Sequence, residues 1–477
     1  MLFNSLQFFL FFVVVCGLYL VLNHRWQNRM LIAASCLFYS FWSWKFLLLM
    51  FVSITTDYVC SRYIHRSSVP GTRRAFLLIS LAVNLGILGF FKYCNFFLDN
   101  LAVLTDFFHL PSLLRKSLNI VLPVGISFYT FEAISYVVDV YHRVIPPAKK
   151  YWDYVLFVIY FPHLVAGPIM RAKDFLPQIT QPRVLNLRQF YEGCYLIFWG
   201  LFEKVFIADN LAQIVDPVFQ GAPPYDAGRV WIAMYSFAFQ IFCDFDGYSN
   251  IARGLGKCMG FEITVNFNVP YFATNPQDFW RRWHISLSSW LRDYIYIPLG
   301  GSRQGDWNTY RNLALTMLLG GLWHGASWTF ILWGAYHGLL LIVYRLMSPV
   351  LAQVPQPRTG AGRGLWRLGR VVGFFHLTCL GWLLFRAQSV EQFFAMVAAV
   401  LKHWPGVVTT VFGVAGRQVL FFIGVLLLVQ MAQEWKKDLL IILRWPVFAR
   451  TIFYYLCSVL IIVFGVTGGQ VFIYFQF

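Results

Sequence analysis

Seven predominantly apolar runs constrain this chain more than any motif: 6–22, 75–91, 195–207, 230–243, 371–385, 419–431 and 452–466. A backbone polar group left unpaired in hydrocarbon costs several kcal/mol, so only helices and closed barrels can occupy a bilayer. No run shows the period-two alternation of a barrel strand, which leaves helices. The predicted fold is therefore all-α and polytopic, with roughly 11–13 transmembrane or re-entrant helices. Several runs fall short of the ~20 residues that cross a bilayer unaided, so tilted, short or re-entrant segments are predicted among them. The composition agrees: 58% of residues are hydrophobic and 12% charged, against about half and a quarter in soluble proteins.

The net charge of +17 excludes a nucleic-acid partner only when its placement is considered. Basic residues punctuate the gaps between apolar runs, at 24–29, 62–74, 358–370 and 436–450, instead of forming one soluble patch. By the positive-inside rule these are cytoplasmic loops, which puts the N-terminus on the opposite, outer side of the membrane, with lipid as the first partner. The first apolar run lacks a basic leader and a cleavage site, and reads as a retained span. The segment 30–60 reads as two short helices turning near Ser43-Trp44-Lys45. Nine cysteines without a CxxC pair read as small buried hydrophobes. We divide a single membrane domain, 1–477, into N-terminal helices (1–118), a motif-bearing core (119–345) and C-terminal helices (371–477).

In the core, Gly, Pro, His and carboxylates interrupt the apolar pattern. Irregular backbone at membrane depth needs burial by protein or a watery cavity, so this region is expected to line a tunnel. Two tracts stand out, Asp278-Phe279-Trp280-Arg281-Arg282-Trp283-His284 and Gly320-Gly321-Leu322-Trp323-His324-Gly325. The first reads as a short amphipathic helix at the membrane surface. Its arginines and tryptophans are either an interfacial anchor or, with Arg281 and Arg282, an attractor for the phosphates of an anionic donor. His324 lies deep in an apolar stretch with glycines that admit close approach. It is either a histidine bonded to a neighbouring helix or a general base, and the second imidazole, His284, favours catalysis. Asn266, Asp278 and Trp323 are further candidates for lining the site. Asp244 and Asp246 form either a proton-coupling pair or a helix-terminal or turn feature. No HExxH motif or compact Cys/His cluster argues for a metal, and no GxSxG nucleophile elbow is present. Without a nucleophile, a base histidine suits direct transfer of an acyl group to a hydroxyl.

Several tracts resemble the membrane-bound O-acyltransferase family, in the bacterial branch that contains the alginate O-acetyltransferase membrane subunit. They are Leu122-Pro123-Val124-Gly125-Ile126-Ser127-Phe128-Tyr129, Phe161-Pro162-His163-Leu164-Val165-Ala166-Gly167-Pro168, Asn266-Phe267-Asn268-Val269-Pro270-Tyr271, 279–300, 310–328 and Phe472-Ile473-Tyr474-Phe475-Gln476-Phe477. The resemblance implies helices enclosing a tunnel, with His324 as the essential histidine and His284 as a second, tunnel-lining one. It implies acetyl-CoA or another acyl thioester as cytoplasmic donor, no tightly bound cofactor, an exported polysaccharide as acceptor, and periplasmic acetyltransferase or hydrolase-like partner proteins. The rival reading is a polytopic transporter of an acyl group or glycan.

Overall fold

The computed structural model describes residues 1–109, 118–355, 357–466 and 472–473. Among these residues every regular element is helical. Among the described residues six helices are long and apolar enough to cross a bilayer: Trp44–Arg66, Pro70–Phe107, Trp328–Gln353, Gly360–Arg386, Val414–Lys436 and Val447–Phe464. A seventh span is possible by length if Val390–Lys402 and Trp404–Phe412, bent by 86°, are taken together. The larger number expected from sequence also counts shorter or more polar helices, such as Leu6–Val21 and Ala227–Cys258.

The chain divides into two compact units, Met1–Cys194 with Ala252–Thr264, and Tyr195–Ile251 with Val265–Phe477. In the first, α1 (Leu6–Val21), α2 (His24–Ser40), α3 (Trp44–Arg66), α4 (Pro70–Leu88), α5 (Cys94–Phe107) and α6 (Ile126–Tyr141) are followed by the shorter α7 (Tyr151–Ile159), α8 (Phe161–Leu164) and α9 (Ala172–Thr180). The predicted turn near Ser43 is present between α2 and α3. A buried carboxylate fastens α3 to α4: Asp57 accepts from Ser80 Oγ at 2.5 Å and Asn84 Nδ2 at 2.8 Å, while Ser53 donates to Asn84 at 2.6 Å. A buried charge is tolerated only with such partners. Two of the motif tracts meet in this unit. Gly125 holds a left-handed φ of +77°, and a Cβ there would lie 2.6 Å from the carbonyl oxygen of Leu164, so both the turn and the close approach call for glycine. In α8, His163 Nδ1 lies 3.3 Å from Glu132 Oε1, which also accepts the Met170 amide at 2.7 Å.

The helices α10 (Leu187–Leu201) and α12 (Ala227–Cys258) each contribute to both units; α11 (Asp209–Phe219) lies in the second. The second unit continues with α13 (Pro276–Trp280), α14 (Ile285–Leu291), α15 (Asp306–His324), α16 (Trp328–Gln353), α17 (Gly360–Arg386), α18 (Val390–Lys402), α19 (Trp404–Phe412), α20 (Val414–Lys436) and α21 (Val447–Phe464). The residues Asp244 to Tyr248 do not break α12, although they end an apolar run. Asp244 is buried against Lys204 Nζ at 2.6 Å, and Lys204 also pairs with Asp209 at 2.8 Å. The other Asp244 oxygen accepts the Ile473 amide at 2.7 Å, and the Phe472 ring sits 5.0 Å from Tyr248. Residues 474–477 of the terminal motif lie outside the described residues.

Candidate active site

The tract 278–292 folds as a broken element, not as the short amphipathic surface helix expected. Asn275 accepts the Asp278 amide at 2.9 Å and Pro276 occupies the first helical position, so α13 starts at a good cap. It ends after one turn, and His284, with a left-handed φ of +43° unusual for a residue with a Cβ, caps the start of α14 and so separates the two helices. The flanking chain holds that conformation: Asn268 donates its amide to Arg282 O at 2.9 Å, and Ile285 donates to Asn266 O at 2.8 Å. Such strain costs on the order of 1–3 kcal/mol and persists where the surroundings over-determine it. As a result Phe279, Trp283 and His284 turn into the protein core while Arg281 faces outward.

Asn266 organises this core. Its Oδ1 accepts from His284 Nδ1 at 3.1 Å and from Ser286 Oγ at 2.9 Å, and its Nδ2 donates to Ser249 Oγ at 3.3 Å. An amide oxygen beside Nδ1 selects the tautomer protonated there, which leaves the lone pair on Nε2. That Nε2 is buried with no partner among the described residues. Burial pushes the His284 pKa down to about 3, so the ring is neutral at physiological pH.

His324 is the last residue of α15 and is also buried. Its glycine neighbours serve helix packing: a Cβ on Gly321 would lie 2.2 Å from Phe330 O, and Gly334 of α16 is the reciprocal contact. The expected close approach is therefore made by backbone. The indole of Trp323 stands between the two histidines, its ring centroid 5.8 Å from His284 and 4.9 Å from His324. Trp333 and Phe385 complete an edge-on aromatic cage around His324, at 4.9 and 5.3 Å. The cage keeps the imidazole in one orientation and limits water around it.

The two arginines separate. Arg282 is held by Asp278 (Nε to Oδ1, 2.8 Å) and by Glu434 of α20 (Nη1 to Oε2, 2.8 Å), and Glu434 also receives Arg367 and Lys437. Asp278 and Arg282 thus act as a tie between α13 and α20. Arg281, with Arg292, Gln277, Ser288, Ser289 and Trp280, lines an open cavity of about 510 Å³. Ile285, Leu291, Leu313, Met317 and Leu341 make the rest of the lining mostly apolar, and Arg292 is paired with Asp293 at 2.7 Å, so Arg281 is the guanidinium best placed to meet an anionic ligand. Among the described residues no group of three His, Cys, Asp or Glu side chains forms that could hold a metal ion.

Two functional candidates escaped the sequence reading. His337 of α16 is fully buried, 4.6 Å from Trp333 and 5.2 Å from Trp280. It is an imidazole in an apolar run, the same signal that marked His324. Glu434 carried no such signal, because its role depends on Arg282 from a distant segment.

The sequence profile of MBOAT, the membrane-bound O-acyltransferase family, matches residues 39–385. The chain is 43% identical to a protein named probable alginate O-acetylase AlgI of Azotobacter vinelandii, over 84% of this chain and 78% of that protein. It is 44% identical to the protein of the same name in Pseudomonas aeruginosa, covering 84% and 75%. It is 36% identical to the peptidoglycan O-acetyltransferase of Helicobacter pylori, covering 82% and 78%. A helical, multi-pass membrane protein whose sequence matches one profile across most of its length belongs to the membrane-bound O-acyltransferase family.

Proposed function

We propose that this acyltransferase moves an acetyl group from a cytoplasmic thioester, acetyl-CoA or a carrier-bound equivalent, to hydroxyl groups of an exported polysaccharide of the alginate type. The observation that carries the reading is the pair of buried imidazoles flanking Trp323, with a basic cavity beside the same short helices. Identity of 43–44% to proteins named for alginate O-acetylation, against 36% to one named for peptidoglycan, supports the choice of acceptor.

In this mechanism His324 takes the proton of the acceptor hydroxyl as its oxygen attacks the thioester carbonyl. The C–S bond then breaks and the departing thiolate takes up the proton. His284 is neutral and presents Nε2 as an acceptor, which suits it to position the incoming hydroxyl or share its proton. Arg281 attracts the donor's phosphates, while Asn266 and Trp323 hold the two imidazoles in register. The enzyme lies in the bacterial inner membrane with its N-terminus periplasmic, and periplasmic acetyltransferase or hydrolase-like partners complete delivery to the polymer.

The test uses proteoliposomes loaded with labelled acetyl thioester and an external alginate oligosaccharide. His324→Ala is expected to insert normally and to lose about 10²–10⁴ in transfer rate. Undiminished ester formation in that variant overturns the assignment, and movement of unmodified substrate without ester formation indicates transport instead.

A further inference from the structure

In the second unit α18 and α19 meet at an angle of 86°, and the 9 residues of α19 rise only about 14 Å, under half the hydrocarbon thickness. Beside the end of α19 lies an open cavity of about 400 Å³. Its walls come from three helices: Ile232, Tyr235 and Phe239 of α12, Phe412 of α19, and Leu420 and Ile423 of α20. The one charged side chain in its lining is Arg417, in the first turn of α20.

The polar groups of this lining divide sharply. His376 Nδ1 meets the carbonyl of Val372 at 2.7 Å, so the ring donates there and its Nε2 accepts the Tyr235 hydroxyl at 2.5 Å. Arg417 is exposed, and among the described residues its guanidinium has no hydrogen-bond or ion-pair partner. The depth of this charge follows from α20, whose 23 residues rise about 34 Å, close to the ~30 Å hydrocarbon core. Arg417 stands near one end of that span and Lys436 at the other. The guanidinium is therefore at headgroup depth, and Leu420 and Ile423 lie progressively deeper in the leaflet away from Lys436.

We propose that this cavity binds one acidic glycerophospholipid, its phosphate on Arg417 and one acyl chain against α12 and α20. An apolar hollow excludes water and forfeits dispersion contacts until carbon atoms fill it. The planar guanidinium fork matches a phosphate, and the lipid's negative charge balances a cation that the protein leaves uncompensated. Size selects a chain over a partner helix: a helix about 10 Å across fills roughly 800 Å³ for each 10 Å of its length, twice the cavity.

The experiment measures thermal melts of the full-length protein in detergent as phosphatidylglycerol is added, and takes an apparent affinity from the rise in melting temperature. Two further titrations use a diacylglycerol, which has the chains without phosphate, and inorganic phosphate, which has no chains. Phosphatidylglycerol is expected to bind at least about ten-fold more tightly than either. Arg417→Ala removes a charge-assisted contact and is expected to weaken phosphatidylglycerol about ten-fold, to the level of the diacylglycerol. Leu420→Trp, at an exposed position, fills the cavity and is expected to weaken both lipids while its lipid-free melt stays near wild type. Arg74→Ala, an exposed arginine in the first unit, is expected to keep the full affinity. Wild-type affinity for phosphatidylglycerol in both Arg417→Ala and Leu420→Trp overturns the site, because the lipid then binds elsewhere. A diacylglycerol or inorganic phosphate that matches phosphatidylglycerol on the wild type overturns it as well.

Discussion

Asn266 Oδ1 accepts the Nδ1 proton of His284 at 3.1 Å, across 18 residues of chain. This one bond decides which nitrogen of the imidazole carries the lone pair, and the same oxygen serves Ser286. The orientation of the second histidine is therefore set by an asparagine 18 residues upstream, not by a helix of its own, since His284 sits between α13 and α14.

Replacing Asn266 with Leu strips acceptors from His284 and Ser286 inside the core. Each buried donor left unmade costs about 1–3 kcal/mol, so the variant is expected to melt well below the wild type in detergent. Transfer activity is expected to fall further than for Ser249→Ala, which removes only the hydroxyl that accepts from Asn266 Nδ2. Equal activity in the two variants would count against a role for Asn266 in orienting His284.

The arginines are expected to part company under mutation. Arg282→Ala removes the shared partner of Glu434 and Asp278 and is expected to cost about 1 kcal/mol, since Glu434 keeps Arg367 and Lys437 and Asp278 keeps solvent access. Arg281→Ala is expected to leave the melting temperature alone, raise the donor KM and flatten its dependence on salt. Thermal melts and donor titrations at two ionic strengths distinguish these outcomes.

Gly321→Ala is expected to destabilise by about 1–3 kcal/mol through overpacking against Phe330 O and Gly334. Because His324 ends the same helix, activity is expected to drop in the folded fraction as well. Gly364→Ala, where an added Cβ meets nothing within 4 Å, provides the control: both quantities should stay at wild-type values.

Acid sensitivity follows from the buried His284. Its folded pKa, about 3, lies below the ordinary 6.5, so as the pH drops below 6.5 the unfolded chain takes up a proton that the folded protein refuses. Stability attributable to this group is complete above pH 6.5 and is lost progressively toward pH 3, at a slope of up to about 1.4 kcal/mol per pH unit. Melts of wild type and His284→Gln between pH 7.5 and 5 should therefore converge, or cross, as the pH falls. Parallel curves would show that His284 is not held neutral.

Much of the architecture was readable along the chain because lipid leaves few alternatives. The apolar runs at 371–385 and 419–431 lie within α17 and α20, that at 452–466 lies in α21 up to its end at Phe464, and the turn near Ser43 separates α2 from α3. His324 was legible for the same reason, as an ionisable ring in an oily stretch flanked by glycines. The reading of 278–292 as one amphipathic helix failed because periodicity cannot register a single residue at positive φ. At His284 that residue reverses which side chains face inward.

Sequence alone determined the solvent and the helical class, since both follow from local composition and the cost of polar groups in hydrocarbon, and its motif tracts marked His284 and His324 as candidates. Tertiary structure alone decided that Arg282 is bound to Glu434 while Arg281 meets the cavity, that Trp323 stands between His284 and His324, and that His337 joins Trp280 and Trp333. The physical reason is that each relation needs segments that only folding brings together: Arg282 and Glu434 lie 152 residues apart, and Trp280 meets His337 from another helix. Such pairings leave no period and no local pattern for a sequence to display.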